Sequence, residues 1–195
     1  MTDTIQIMAT GGTFDKKYDE IKGTLTLKSS HLPHIMKIVR CTLQYEITFL
    51  PLKDSLFMDD YDRYLILKTC KQSPAKRIII IHGTDTMVET GKLIGSASLD
   101  KTIILTGAMI PYSVSSSDAV FNFGTAVGYV QEKYPGTYIC MNGRCFDWDN
   151  VRKNREKGIF EEAESMPGDF DTATLPPDQS DAYHQTEKNL PLVYV

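Results

Sequence analysis

Two short stretches of this chain place hydroxyls and glycines where chemistry is possible. Thr10-Gly11-Gly12-Thr13 follows an apolar run at 5–9, and His82-Gly83-Thr84-Asp85-Thr86 follows four consecutive isoleucines. Glycine lets the backbone approach a ligand and leaves N–H groups free to face a developing oxyanion. A threonine hydroxyl is a weak nucleophile at neutral pH and needs a base or a hydrogen-bonded relay to take its proton. Thr84 and Asp85 adjoin one another, and an amine near both would complete such a relay. Lys153, in Asp149-Asn150-Val151-Arg152-Lys153-Asn154, is the candidate. Taken alone, Lys153 reads as an exposed basic loop residue, and a single Gly-Thr turn reads as plain loop chemistry. Two such turns with matching hydroxyls shift the balance toward a site. His82 reads as a hydrogen-bonded structural histidine at a strand end, with a catalytic role as the alternative.

Two further turns belong to the same group, Lys53-Asp54-Ser55 and Thr106-Gly107-Ala108-Met109. Other chemistries lack their signatures. The phosphate loop Gly-x-x-x-x-Gly-Lys-Ser/Thr is absent, and Thr10–Thr13 lacks the third glycine of a dinucleotide fingerprint, so no cofactor is expected. His31, His34 and His184 are too scattered for metal-ligand spacing, so no metal is expected either. No Gly-x-Ser-x-Gly elbow supports a serine triad.

The elements that must position these turns alternate along the chain. Strand-like runs lie at 5–9, 45–50, 77–81, 101–105 and 137–141. Those such as 78–81 and 102–105 lack polar alternation, as parallel strands covered on both faces do. Short buried helix segments would give the same pattern, but the β-branched content of these runs and the turn residues behind them favour strand. Stretches of helical length lie at 30–40, 58–71, 86–96 and 117–132, with Ser30 a candidate cap for the first and Ser117 or Asp118 for the last. This alternation predicts an α/β fold, doubly wound, with a mainly parallel sheet and flanking helices. Ligands in such folds bind beyond the carboxyl ends of the strands, where all four turns fall. Residues 1–160 are expected to form the catalytic domain. Residues 161–195, acidic and then rich in proline, read as a tail or as an arm that packs on another subunit.

Composition narrows the function further. The 195 residues are 42% apolar and 24% charged, with a net charge of −4, and no basic stripe suggests phosphate contacts, so no nucleic acid is expected. No apolar run is long enough to span a bilayer, and the acidic N-terminus does not resemble a secretory leader. Cys41, Cys70, Cys140 and Cys145 show no Cys-x-x-Cys pairing and read as reduced thiols. A cytoplasmic protein without membrane partners is expected.

The motifs converge on a family. Ala9-Thr10-Gly11-Gly12-Thr13 and His82-Gly83-Thr84-Asp85-Thr86-Met87, each after a strand and in this order, closely resemble the bacterial-type L-asparaginases and glutaminase-asparaginases. Thr106-Gly107-Ala108-Met109-Ile110-Pro111 resembles the family's Gly-Ala-Met-Arg-Pro turn, and Ser117-Asp118 with Phe121-Asn122 resembles the start of its next helix. The resemblance runs from about residue 5 to 160 and implies the family's N-terminal domain. It implies hydrolysis of the side-chain amide of L-asparagine to aspartate and ammonia through an acyl-threonine, without metal or cofactor, in a homo-oligomer.

Position by position, the resemblance puts Thr13 on the principal nucleophile and Thr84 on the second catalytic threonine. Asp85 falls on the aspartate that binds the substrate α-amino group, and Lys153 on its lysine partner. Ser55 falls on the serine that binds the α-carboxylate. Gly12, Asp54, Gly83 and Ala108 line the implied pocket. Tyr18 is the candidate for the family's loop tyrosine, with Thr24 in the aligned neighbourhood. Leu56, Phe57 and Ile110 depart from the pattern, as does the length, which implies a short single-domain form. Two other readings stay open: an amino-acid-binding or assembly domain with little or no catalytic activity, and an amidase subunit that supplies ammonia to a partner enzyme.

Overall fold

A computed structural model of the chain describes residues 4–163. In chain order these form β1 (Ile5–Gly11), a hairpin of β2 (Lys17–Asp19) and β3 (Thr24–Thr26), α1 (Leu32–Ile38), β4 (Tyr45–Lys53), α2 (Asp60–Gln72), β5 (Arg77–Ile81), α3 (Met87–Ser96), β6 (Thr102–Thr106), α4 (Ala119–Glu132), β7 (Gly136–Met141), β8 (Arg144–Asp147), β9 (Arg152–Asn154) and β10 (Ile159–Glu161). The central sheet has the order β4-β1-β5-β6-β7-β8. Every pairing in it is parallel except β7 with β8. The predicted α/β architecture holds, with five parallel strands where the apolar runs lie.

The isoleucine run shows why. Ile78, Ile79, Ile80 and Ile81 are all fully buried. Alternate side chains of a strand point to opposite faces. Ile79 and Ile81 enter the core under α1 and α4, beside Ile35 and Phe123, while Ile78 and Ile80 enter the core under α2 and α3, beside Ile66 and Ile94. A strand buried on both sides cannot alternate in polarity.

Several details differ from the sequence reading. Helix α1 begins at Leu32 with His31 at its N-cap, and Ser30 instead donates to Asp15 and accepts from the Leu32 N–H. Asp118 does not cap α4 with its side chain. Its carboxylate accepts the N–H groups of Met109 and Ile110 and so holds the loop after β6. Ser117 accepts the Ala119 N–H instead. The stretch around Lys153 is a strand rather than a loop, because β9 pairs antiparallel with β10. Strand β8 folds back on β7 through Asn142-Gly143, whose φ values of 57° and 79° fit a two-residue type I′ turn. The expected tail at 161–195 begins inside β10, and from residue 164 onward lies outside the described residues.

Candidate active site

Because the five strands run parallel, their following loops leave one edge of the sheet together. The registers place Ala9 beside Ile81, Ile81 beside Thr106, and Gly11 beside Lys53. Cross-loop hydrogen bonds then lock these ends. Thr10 Oγ1 donates to the Ile81 carbonyl at 2.9 Å, and the His82 N–H to the Thr106 carbonyl at 2.8 Å. The Gly12 N–H donates to the Lys53 carbonyl at 2.9 Å, and Thr86 Oγ1 to the Ser55 carbonyl at 2.9 Å.

Glycine at two positions makes the assembly possible. Gly12 sits at φ 79° and ψ −174°, a conformation essentially restricted to glycine. A Cβ there would lie 2.3 Å from Gly83 Cα, so the two threonine loops touch backbone to backbone. Thr13 and Thr84 are the next residues on either side of that contact. A Cβ on Gly83 would meet Ser55 Oγ at 2.4 Å, which adds the β4 loop to the same cluster.

Thr84 is buried, and its Oγ1 accepts a hydrogen bond from Lys153 Nζ at 2.8 Å. The same ammonium lies 2.9 Å from Asp85 Oδ1. The Lys153 side chain is only 11% exposed, so this pair is well shielded from water. Lys153 reaches the site because Phe160, opposite it on β10, is buried. Arg155, which the sequence reading missed, donates from Nη1 to the same Asp85 oxygen at 2.8 Å. Burial pushes Asp85 up, but the hydrogen bonds and charges of Lys153 and Arg155 outweigh it and hold the carboxyl below its usual range. Its other oxygen has no hydrogen-bond partner among the described residues.

The remaining candidates divide. Thr13 is half-buried at the start of a short 3-10 turn, and its hydroxyl makes no hydrogen bond among the described residues. Ser55 is buried, and its Oγ is likewise unpartnered. Ala108 is fully buried behind the β6 loop. Asp54 is engaged elsewhere, accepting from Lys16 Nζ at 2.5 Å and from the Leu56 N–H. Tyr18 lies on the β2–β3 hairpin, 60% exposed, and no hydrogen bond links it to Thr13, Thr84 or Lys153. His82 is fully buried, with Nδ1 bound to the Gly83 carbonyl and Nε2 to the Thr90 hydroxyl. It props the loop from beneath. Among the described residues, no group of three or more His, Cys, Asp or Glu side chains is arranged to hold a metal ion.

A family model for the asparaginase N-terminal domain matches residues 4–164. The chain belongs to the asparaginase family. It is 31% identical over 84 residues to the L-asparaginase of Thermococcus kodakarensis, covering 42% of this chain and 26% of that one. A solved structure of the thermostable L-asparaginase from Thermococcus kodakarensis superposes with a TM-score of 0.75 at 23% identity, over 84% of this chain and 52% of that one. Similarity to L-asparaginase 1 of Escherichia coli is 28% over 169 residues, 80% of this chain and 49% of that one. A glutamyl-tRNA(Gln) amidotransferase subunit from Methanococcus maripaludis is 36% identical over 77 residues, covering 39% of this chain and 18% of that one. The chain thus spans at most about half the length of the relatives it matches. Among the described residues, no helix is long and apolar enough to cross a membrane.

Asp15 and His82, two buried titratable groups next to the two threonine loops, oppose each other in their dependence on pH. Burial raises Asp15 from 3.8 to about 6, against the hydrogen bonds from the His31 N–H and Ser30. Burial lowers His82 from 6.5 to about 4. Between those limits the folded chain keeps a proton on Asp15 that the unfolded chain releases, so Asp15 costs stability as pH rises. His82 does the reverse, because only the unfolded chain protonates it there. Each effect is on the order of 3 kcal/mol across the window, and the two offset. Asp15→Asn removes one side of the balance. Its Tm relative to wild type should climb as pH rises from 4 to 7, measured by thermal denaturation at both ends. A constant difference would mean that Asp15 titrates normally.

Proposed function

We propose that this domain hydrolyses the side-chain amide of L-asparagine to L-aspartate and ammonia through an acyl-threonine intermediate. The reading rests above all on one observation: a shielded Lys153 ammonium bridges Thr84 Oγ1 and Asp85 Oδ1 where the Thr13 loop abuts the Thr84 loop. Thr13 is the nucleophile, since its hydroxyl is uncommitted, whereas Thr84 is tied into the Lys153–Asp85 chain as a proton relay. Thr13 Oγ1 bonds to the amide carbon, the carbon–nitrogen bond breaks, and ammonia leaves with the proton that the hydroxyl surrenders. Water then cleaves the ester and restores Thr13. The Gly12 N–H is already committed to Lys53, so the amides of Thr13 and Thr84 serve the oxyanion.

The same reading assigns substrate contacts. Ser55 Oγ, a buried hydroxyl without a partner, donates to the α-carboxylate, and the open oxygen of Asp85 receives the α-ammonium. The test is ammonia release by the purified chain from asparagine, glutamine and an aspartyl dipeptide. Asparagine should be the best of the three. Absence of release from all of them, together with measurable asparagine binding, would replace the enzyme with a binding domain. The likeness to an amidotransferase subunit favours a second reading, an amidase that works only beside a partner enzyme. Turnover by the chain alone argues against it.

Arg155 makes the assignment of Asp85 testable. Its guanidinium competes for the carboxylate that the α-ammonium would use, yet it is largely exposed, so the competition is weak. Arg155→Gln should lower KM for asparagine by about threefold with kcat nearly unchanged, consistent with an exposed pair worth under about 1 kcal/mol. A higher KM would instead mark Arg155 as a substrate contact.

A further inference from the structure

We propose that Cys140 and Cys145 form a reversible disulfide across the β7–β8 hairpin, a peroxide-oxidised dithiol separate from the threonine site. The two residues are direct partners in the antiparallel register. The two-residue turn at Asn142-Gly143 closes the hairpin at Met141 and Arg144, and the Trp148 N–H donates to the Thr137 carbonyl. Hydrogen-bonded pairs therefore fall at 141/144, 139/146 and 137/148, which leaves 140/145 as a non-hydrogen-bonded pair. In such pairs the Cα atoms approach to about 4.5 Å and the side chains stand closest. That separation lies within the range a disulfide spans, about 4.4–6.8 Å between Cα atoms.

The chemistry of the pair is asymmetric in a useful way. Cys140 is fully buried in the core beneath α4, whereas Cys145 is only partly buried at its margin. Its position opposite Cys140 holds Cys145 below its usual range despite burial, and Lys133 adds its positive charge. The neighbouring Cys145, and burial, push Cys140 up. Cys145 is thus the thiol that ionises and that solvent can reach, with a resolving partner directly across the hairpin. Its thiolate attacks one oxygen of hydrogen peroxide, the O–O bond breaks, and hydroxide leaves and takes up a proton, giving a sulfenic acid. Cys140 then attacks the Cys145 sulfur, the S–S bond forms, and the oxygen leaves as water. Two thiols lose two electrons and two protons, and one peroxide becomes two waters.

Cys70, the other fully buried cysteine, lies in the core on the opposite face of the sheet and has no such partner. The new bond would tie β8 to β7 next to Asn142, whose Oδ1 accepts the Phe160 N–H from β10. The hairpin that oxidation stiffens therefore braces the strand pair carrying Lys153.

The experiment treats the full chain with dilute hydrogen peroxide and reads its intact mass and tryptic peptides. Trypsin cuts at Arg144, between the two cysteines, so the bond joins two otherwise separate peptides. The expected result is a loss of about 2 Da, a linked pair of peptides containing Cys140 and Cys145, and reversal by dithiothreitol. Cys140→Ser should stop at a sulfenic acid on Cys145, captured by a dimedone-type reagent, and Cys145→Ser should show neither product. Overoxidation of Cys145 in wild type without linkage, a bond to Cys41, a bond between copies, or no reaction would each overturn the proposal. The wild-type peptide map decides it even if the Cys140 variant does not fold.

Discussion

Replacing Thr84 with valine should lower kcat/KM for asparagine by about 10³-fold while leaving the fold intact. The hydroxyl is the only atom of Thr84 that the proposed relay uses, and valine fills nearly the same volume. Lys153 keeps its ion pair with Asp85 at 2.9 Å when the hydroxyl goes, so no buried charge is stranded. Loss of a positioned proton-transfer group typically costs about 10²–10⁴ in rate. Lys153→Met should cost as much, with Asp85 still paired to Arg155 at 2.8 Å. Because both act in one chain, the double variant should be hardly worse than either single one, as expected for groups that work as a unit. Thr13→Ala should remove turnover and also any acyl-enzyme, whereas Thr84→Val should slow acylation without moving the adduct off Thr13. Quenched single-turnover reactions analysed by mass spectrometry separate the two. An adduct on Thr84 would reverse the assigned roles, and a loss below tenfold in the Thr84 variant would remove it from the chemistry.

What could be read from residues alone follows from how each part is held. The parallel strands were legible because burial on both faces leaves no polar alternation, as Ile78 to Ile81 show. The glycine-threonine turns were legible because close backbone contact demands glycine. The β2–β3 hairpin left no such imprint, since Tyr18, Thr24 and Leu25 are exposed and nothing constrains their polarity. The environment of Lys153 was hidden for a different reason. A lysine in a charged stretch looks solvated until a strand many residues away brings its ammonium to Thr84, and that pairing depends on Phe160 finding the core. Arg155 was missed on the same grounds. The Asn142-Gly143 turn was a signal present in the sequence, and it would have given both β8 and the pairing of Cys140 with Cys145.

The resemblance to asparaginases named Thr13, Thr84, Asp85 and Lys153 without saying how a chain of this length brings them together. The structure supplies that link for three of them through direct hydrogen bonds. Thr13 joins the group only through its neighbour, because the Gly12 contact with Gly83 is what sets its position. The placement of the proposed nucleophile therefore depends on a residue that has no side chain.

Gly12→Ala tests that dependence and should be the most destabilising single substitution at the sheet edge. Alanine must adopt φ 79°, which costs about 1–3 kcal/mol as backbone strain. Its Cβ would also stand 2.3 Å from Gly83 Cα and 2.5 Å from Gly83 N. These are backbone atoms fixed by the end of β5, so the β1 and β5 loops must part, at a further cost of about 1–3 kcal/mol. A combined loss near 4 kcal/mol lowers Tm by on the order of 10 °C in a domain of this size. Gly124→Ala is the control, since Gly124 is an exposed glycine inside α4 and a Cβ there meets nothing within 4 Å. It should raise Tm slightly, because alanine is favoured over glycine in a helix by about 1 kcal/mol. If Gly12→Ala instead melts with wild type and keeps its turnover, the two loops do not press together. Thr13 would then lie away from the Lys153–Thr84 pair, and the proton would need another route out of the nucleophile.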